Sequence, residues 1–145
     1  MAIPTPRLSV YRDKATGELQ VQPCGLDKDT GAQPECWKPV RIQGSNGGDA
    51  LAMAVLELLP VSLQPLESAE LVRQTEEERR KWIRHHDSIF IEMPRRADIR
   101  IVLFRNEQDR YVASARTIRV SMDNVKKDIG VLTTALRRAL ARSAT

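Results

Sequence analysis

The chain has 145 residues, of which 41% are hydrophobic and 29% charged, with two each of Trp, Tyr and Phe. This is the composition of an ordinary globular protein, and it excludes the disordered, collagen-like and disulfide-scaffold classes. The length suits one domain that can bury its own core. We therefore expect residues 1–145 to form a single domain.

Nothing in the sequence predicts a membrane segment or a secretory signal. The longest apolar run, residues 50–59, is interrupted by Glu57 and is too short to cross a bilayer. The N-terminus, Met-Ala-Ile-Pro-Thr-Pro, lacks a basic start and an apolar core. We therefore expect a cytoplasmic protein with no membrane partner, in which Cys24 and Cys36 are more often reduced than bridged.

The net charge of +4 is unevenly distributed along the chain. Residues 1–60 carry a net charge of −1, whereas residues 61–145 carry +5. Such an excess can mark a surface for nucleic acid or for an acidic protein, and it can also be a merely solvated surface.

The first half of the chain predicts three strands followed by a helix. Residues 8–12 alternate apolar with polar side chains, and the alternation resumes at Leu19 after a turn that contains Gly17. A polar loop over 24–35 precedes a third strand at 40–42. Apolar residues then recur at helical spacing until Pro60, which ends the helix: Leu51, Val55 and either Leu58 or Leu59.

The second half repeats this order. Alternating or apolar runs at 89–91, 99–103, 111–113 and 118–120 predict strands, the third of them the weakest. Asp123 is a capping residue for a final helix, whose apolar face carries Val125, Ile129, Leu132, Leu136 and Leu140.

The two halves match at an offset near 81 residues. This offset places apolar residues on apolar residues: Leu8 on Ile89, Val10 on Ile91, Leu51 on Leu132, Val55 on Leu136 and Leu59 on Leu140. We therefore predict an α+β protein made of two degenerate copies of a β-β-β(-β)-α unit, at about 5–60 and 75–142. Its antiparallel sheets would pack on helices, and a Whirly-like arrangement is one form that this could take.

A short extra helix is predicted between the copies. Thr75 and Glu78 have the spacing of a capping box, in which each side chain satisfies a free backbone donor of the first turn. Trp82 and Ile83 are the apolar anchors of this helix. Trp82 is more easily explained as a core side chain than as a platform for a ligand.

No combination of residues in the sequence predicts catalysis, a metal or a cofactor. His85 and His86 are adjacent, and neighbouring residues of a helix or strand point in different directions. Paired zinc-ligand spacings and a Gly-x-Ser-x-Gly turn are both missing. The glycine-containing stretch 44–48 lacks the Lys-Ser/Thr of a phosphate-binding loop and fits a cap and tight turn better. We therefore expect a protein that binds rather than an enzyme.

Single-stranded nucleic acid is one partner that the sequence leaves open. Basic residues accompany the predicted strands of the second copy: Arg100, Arg105, Arg110, Arg116 and Arg119. Phe90, Phe104 and Tyr111 are interleaved with them, as in grooves where bases stack on rings. The first copy has no matching basic face, and Phe90 and Phe104 could equally fill the core.

Several segments together resemble a known family. They are Arg-Leu-Ser-Val-Tyr-Arg-Asp-Lys-Ala-Thr-Gly-Glu-Leu near the N-terminus, the Trp-bearing segment 78–83 that leads into Ile89-Phe90-Ile91, and the helix starts at 48–51 and 128–132. In these features the chain resembles immunity proteins of bacterial contact-dependent growth inhibition systems, in particular partners of ribonuclease A-like toxins.

The resemblance implies an inhibitor that binds the C-terminal toxin domain, a nuclease, and blocks it. It supplies no catalytic residues and no fixed contact set, because each immunity protein matches its own toxin. From the irregular loop and the residues after it we predict four contact residues: Asp27, Asp29, Glu35 and Trp37. The basic net charge departs from the acidic charge expected of an inhibitor of a basic nuclease.

Overall fold

The computed structural model of the chain describes residues 4–35, 39–43, 48–66 and 74–143. Its strands are β1 (Arg7–Asp13), β2 (Leu19–Pro23), β3 (Leu26–Asp27), β4 (Val40–Ile42), β5 (Pro65–Leu66), β6 (His86–Arg95), β7 (Asp98–Asn106) and β8 (Tyr111–Ser121). Its α-helices are α1 (Ala50–Leu58), α2 (Glu76–His85), α3 (Met122–Lys127) and α4 (Gly130–Ser143), and a short 3₁₀ helix spans Pro60–Leu63.

Six of the strands form one antiparallel sheet in the order β4-β2-β1-β6-β7-β8. At its centre β1 pairs with β6, which places Ser9 opposite Phe90 and Val10 opposite Ile89. The first half of the chain therefore supplies one side of the sheet and the second half the other. A small parallel pair, β3 with β5, lies outside this sheet.

Helices α1 and α4 pack against one face of the sheet and enclose an aliphatic core. The largest fully buried side chains of that core come from strands and helices of both halves: Leu8, Val10, Val21, Val55, Leu59, Ile89, Ile91, Ile99, Ile101, Leu132 and Leu136. Side chains alternate between the two faces of a strand, and these apolar residues occupy the face that the helices cover. The prediction of an α+β protein is confirmed by this architecture.

The matched positions of the two halves can be located in this fold. All ten residues paired at the offset of 81 lie in the buried core. Each half contributes three strands of the large sheet and a helix on the same face. These positions are compatible with an internal repeat, whose origin as two degenerate copies stays a prediction, as does a Whirly-like arrangement.

Two details of the second half differ from the sequence analysis. The segments predicted as separate strands at 111–113 and 118–120 belong to the single strand β8, which has a register shift opposite Val102–Phe104. A bulge interrupts the two-residue period, so one strand produces two separate alternating runs. The final helix is also divided at Asp128, whose carboxylate accepts a hydrogen bond from the Gly130 amide. Asp123 lies in the first turn of α3 rather than at its cap.

The turn between β1 and β2 is held by a side chain. The Asp13 carboxylate accepts hydrogen bonds from the amides of Ala15 and Thr16, at 2.8 and 3.0 Å. These bonds, led by that from Thr16, hold the pKa of Asp13 below its usual value. Gly17 has a φ of 75°, which favours glycine.

The predicted helix between the halves is present as α2, and the capping box of Thr75 and Glu78 is confirmed. The Thr75 hydroxyl accepts from the Glu78 amide and the Glu78 carboxylate accepts from the Thr75 amide, both at 3.1 Å. In the four described ranges, no helix is long and apolar enough to span a membrane.

Candidate protein interface

The sheet face opposite α1 and α4 carries the candidate site. Because Val10 and Ile89 point into the core, their neighbours Tyr11 and Phe90 point to the other face. The strand registers add Phe104 and Tyr111 to that face. We call this surface the aromatic face and define it by the side chains of Tyr11, Phe90, Phe104 and Tyr111.

The rings of the aromatic face form a continuous series that extends to α2. Ring centroids are 6.2 Å apart for Phe90 and Phe104, 5.8 Å for Phe104 and Tyr111, and 6.1 Å for Tyr111 and Tyr11. Tyr11 then meets the Trp82 ring edge-on at 5.2 Å. All the aromatic residues in the described ranges thus gather outside the aliphatic core.

Two arginines lie over these rings. The Arg79 guanidinium is 5.9 Å from the centroid of the Tyr11 ring and 5.5 Å from that of Tyr111, and Arg7 is 5.9 Å from Phe90. A guanidinium over a ring contributes about 0.5–1 kcal/mol when exposed and about 2 kcal/mol when desolvated. Cations and rings therefore form one surface here.

Glu35 ties the loop after β3 to this surface. Its Oε1 accepts hydrogen bonds from the Ser9 hydroxyl at 2.6 Å and from the Tyr11 hydroxyl at 2.5 Å. Its Oε2 lies 3.8 Å from Nη1 of Arg79, which also donates to the Tyr11 hydroxyl at 3.1 Å. The carboxylate is therefore held by groups from β1 and α2 at once.

Burial, followed by the charge of Glu35, raises the pKa of Tyr11 far above its usual value, against an opposing effect of Arg79. Burial likewise raises the pKa of Tyr111. A phenol keeps its proton at neutral pH even at its ordinary pKa, and both hydroxyls act as hydrogen-bond donors. The Tyr111 hydroxyl donates to the carbonyl oxygen of His86 at 2.7 Å.

Local structure at the end of α2 fixes Trp82. The His86 ring stacks on the Trp82 indole with centroids 3.6 Å apart, and its Nδ1 lies 2.9 Å from the Trp82 carbonyl oxygen. Ile83, the other predicted anchor, is buried. The capping box thus starts a helix that holds Arg79 and Trp82 beside the sheet.

A cavity of about 340 Å³ opens on the aromatic face. Arg7 and Arg79 lie at its wall with Phe90, Phe104 and Tyr111. Ser88 also lines it, and this buried hydroxyl has no hydrogen-bond partner in the part of the chain that the structure describes. The cavity is large enough for one side chain, whereas the Ser88 hydroxyl lies beneath its surface, out of reach of solvent.

The four residues predicted to contact a partner lie in different surroundings. Asp27 is 2% exposed, and its carboxylate accepts from the Asp29 amide at 2.9 Å, so that it organises the loop from inside. Asp29 is exposed. Glu35 joins the aromatic face, and Trp37 lies outside the described residues. Whether any of them touches a partner stays a prediction.

The arginines predicted for nucleic acid differ in their surroundings, and two of them are paired with carboxylates. Arg100 lies 3.3 Å from the Glu92 carboxylate, and Arg105 lies 2.8 Å from that of Glu107. Arg119 is exposed on β8 and pairs in backbone register with Arg100. Arg110 and Arg116 are exposed as well. These arginines therefore do not form one uninterrupted cationic groove.

Metal-ligating side chains do not converge in the described ranges, where no group of three or more His, Cys, Asp or Glu could hold a metal ion. Cys24 is buried beside the cavity. Cys36 lies outside the described residues, so the redox state of the two thiols stays a prediction.

The sequence groups Phe90, Phe104 and Tyr111 in the second half of the chain, but it does not show that Tyr11 and Trp82 join them. Within each strand the sequence does indicate the face, because Tyr11 and Phe90 both alternate with core aliphatic residues. The alternation within a strand does not reveal that β1 pairs with β6, because that pairing joins residues about 80 positions apart.

Fold and site together define an α+β protein with one helix-covered sheet face and one aromatic face. No protein-family model matches the chain, and no curated protein matches it. Among solved structures the chain is similar to one described as a protein of unknown function, NMB0488, from Neisseria meningitidis. The two are 16% identical with a TM-score of 0.68, over 98% of this chain and 99% of the other. At this identity the likeness shows the fold alone.

Proposed function

We propose that this chain is a cytoplasmic, non-enzymatic immunity protein that binds the C-terminal nuclease toxin domain of a contact-dependent growth inhibition effector through its aromatic face. The observation that supports binding is the composition of that face, where Phe90, Phe104 and Tyr111 are half-buried beside Arg7 and Arg79. Tyr, Trp and Arg dominate the energetic centres of protein interfaces. The immunity role itself rests on the resemblance in sequence described above.

The cavity supports the same proposal. Interface centres consist of a side chain from one partner in a well-packed pocket of the other. About 340 Å³ between Arg79, Phe90 and Tyr111 accommodates one such side chain.

The pairing of charges favours a protein partner over nucleic acid. Arg79 lies by Glu35, Arg100 by Glu92, and Arg12 lies 3.1 Å from the Asp87 carboxylate. Phosphate binding draws its affinity from cations that replace counterions, and a cation already paired within the protein contributes less. A protein interface gains from preorganised, satisfied side chains instead.

The test begins with the genes beside the one for this chain, where the proposal expects a large secreted effector, and then measures whether the chain protects a bacterial host from the C-terminal domain of that effector. We expect co-expression to restore growth and the purified pair to form a one-to-one complex. Phe104→Ala and Tyr111→Ala should each weaken the complex about thirty-fold, or about 2 kcal/mol, as expected for residues at the centre of an interface.

Met53→Ala is the matched control, because Met53 is 60% exposed on α1, on the helix-covered side of the molecule. It removes an exposed apolar side chain of similar size and should change affinity less than about two-fold. Circular dichroism would establish that each variant is folded. Failure of the wild-type chain to bind or protect would overturn the proposal.

Single-stranded nucleic acid remains the second candidate, favoured by the exposed Arg119 together with the rings of the aromatic face. It predicts salt-dependent binding to an oligonucleotide that Arg100→Ala, Arg105→Ala or Arg119→Ala weakens. Fluorescence anisotropy at low salt would measure it, and no binding under those conditions would remove this candidate.

A further inference from the structure

Strand β8 has an open side along the outer edge of the sheet. It is the last strand in the sheet order and spans 11 residues, whereas β4 at the opposite edge spans only 3. In the part of the chain that the structure describes, no strand pairs with the outer side of β8. An edge of this length presents backbone donors and acceptors on which an extended segment can add as a further strand.

All charged side chains of β8 are positive. From Arg110 to Met122 the sequence contains no acidic residue. Arg116 and Arg119 are exposed, and neither forms an ion pair within the described ranges. Their positive charges therefore lie unneutralised along the edge.

A groove with apolar and polar lining runs beside this edge. Its volume is about 450 Å³, and it lies between β8 and α4, where Ile118, Val131 and Ala135 line it together with charged residues that include Asp128 and Arg138. Val131 is 38% exposed. Side chains of an added strand would alternate between this groove and the other face of the sheet, where Arg119 lies.

We infer that the outer edge of β8 binds an extended segment of a partner protein that alternates acidic with apolar residues. Acidic side chains on the face of Arg119 would meet that arginine, and apolar ones, alternating with them, would enter the groove. A second copy of this chain fits less well, because β8 against β8 would bring four arginines together in two neighbouring strands without an acidic residue. This surface is separate from the cavity of the aromatic face and goes beyond the proposed function.

The probe is a labelled eight-residue peptide of alternating Glu and Val, titrated with the full chain in a fluorescence anisotropy assay. We expect binding that weakens as salt rises, because exposed charge pairs are screened. Arg119→Glu should weaken it about five-fold or more, since an attraction becomes a repulsion. Arg41→Glu makes the same change on the opposite edge strand, where Arg41 is also exposed, and should have little effect.

A change in the peptide backbone distinguishes strand addition from simple charge attraction. A peptide of the same sequence, N-methylated at every second residue, cannot donate along its pairing edge and should not bind. Amide hydrogen exchange should slow in β8 when the unmodified peptide binds. Equal binding of both peptides, protection confined to other strands, or dimerisation of the chain through β8 would each overturn the inference.

Discussion

Tyr11 joins three parts of the molecule through one hydroxyl. It is 2% exposed, donates to Glu35 of the loop and accepts from Arg79 of α2. A buried hydroxyl costs free energy unless it is paired, so Tyr11 and Glu35 depend on each other. These two bonds fix the loop and the helix that border the aromatic face.

Removing either partner of the Tyr11–Glu35 hydrogen bond should lower stability, and the two losses should not be additive. We expect Glu35→Ala to lower the free energy of unfolding by about 1 kcal/mol, because it deprives Ser9 and Tyr11 of their acceptor. In the Tyr11→Phe background the same change should cost less, with a coupling of about 0.5 kcal/mol or more. Urea denaturation of the two single variants and the double variant measures this.

Glu57→Ala is the control for loss of a carboxylate, because Glu57 is exposed on α1. Its effect should stay within about 0.5 kcal/mol. Strictly additive effects of Tyr11→Phe and Glu35→Ala would contradict the coupling.

Helix α2 is the element that depends most on local sequence. Ten residues are too few for a stable isolated helix, so the capping box and the contacts of Trp82 and Ile83 must hold it. Because Arg79 reaches the aromatic face from this helix, its stability bears directly on the candidate site.

Thr75→Ala should lower the free energy of unfolding by about 1 kcal/mol, because it removes the side-chain acceptor for the Glu78 amide. Urea denaturation followed by circular dichroism would measure the loss. Thr134→Ala, at an exposed position of α4, is the matched control and should be neutral or slightly stabilising. Equal effects of the two changes would contradict the role of the cap.

The capping box of Thr75 and Glu78 should also make the free energy of unfolding depend on pH in the acidic range. The backbone amide of Thr75 holds the pKa of Glu78 below its usual value of 4.5. Since the folded pKa is depressed, the carboxylate adds stability that is complete above the unfolded pKa and is lost as pH falls through the folded pKa. Glu78→Gln should therefore flatten the fall in unfolding free energy below about pH 4.5. An unchanged slope in urea titrations across that range would contradict this.

At the scale of the whole molecule, one aliphatic core holds the two halves together. Helix α4 contacts β6, β7 and β8 as well as α1, so helices from both halves share that core. The Thr133 hydroxyl donates to the Asp49 carboxylate at 2.6 Å, and Arg12 donates to the carbonyl oxygen of Leu140 at 2.9 Å. The halves therefore should not unfold separately.

Leu136→Ala tests this core, because Leu136 is 0% exposed on α4. We expect a loss of about 2–5 kcal/mol in the free energy of unfolding, from lost burial and from the cavity left behind. Probes in either half should report one transition. Val131→Ala on the same helix, at a 38% exposed residue, should cost less than about 1 kcal/mol. Two separate transitions, or equal costs, would contradict a shared core.

The sequence by itself determined the α+β class and most of the elements. Alternation marked β1, β2 and β6, helical spacing marked α1 and α4, and the pair Thr75 and Glu78 marked the start of α2. These signals are local, since each depends on residues a few positions apart. The core residues followed from the same local periods.

Only the tertiary structure decided which strands are neighbours, and therefore where the aromatic residues meet. Tyr11, Trp82 and Phe104 come from three different elements. The pairing of β1 with β6 and of β6 with β7 puts Tyr11 and Phe104 on one face, and α2 packs Trp82 against Tyr11 at its border. A local period states which side of its own strand a residue occupies but not what lies beside that strand. For the same reason the open edge of β8 became visible only once the six strands were ordered.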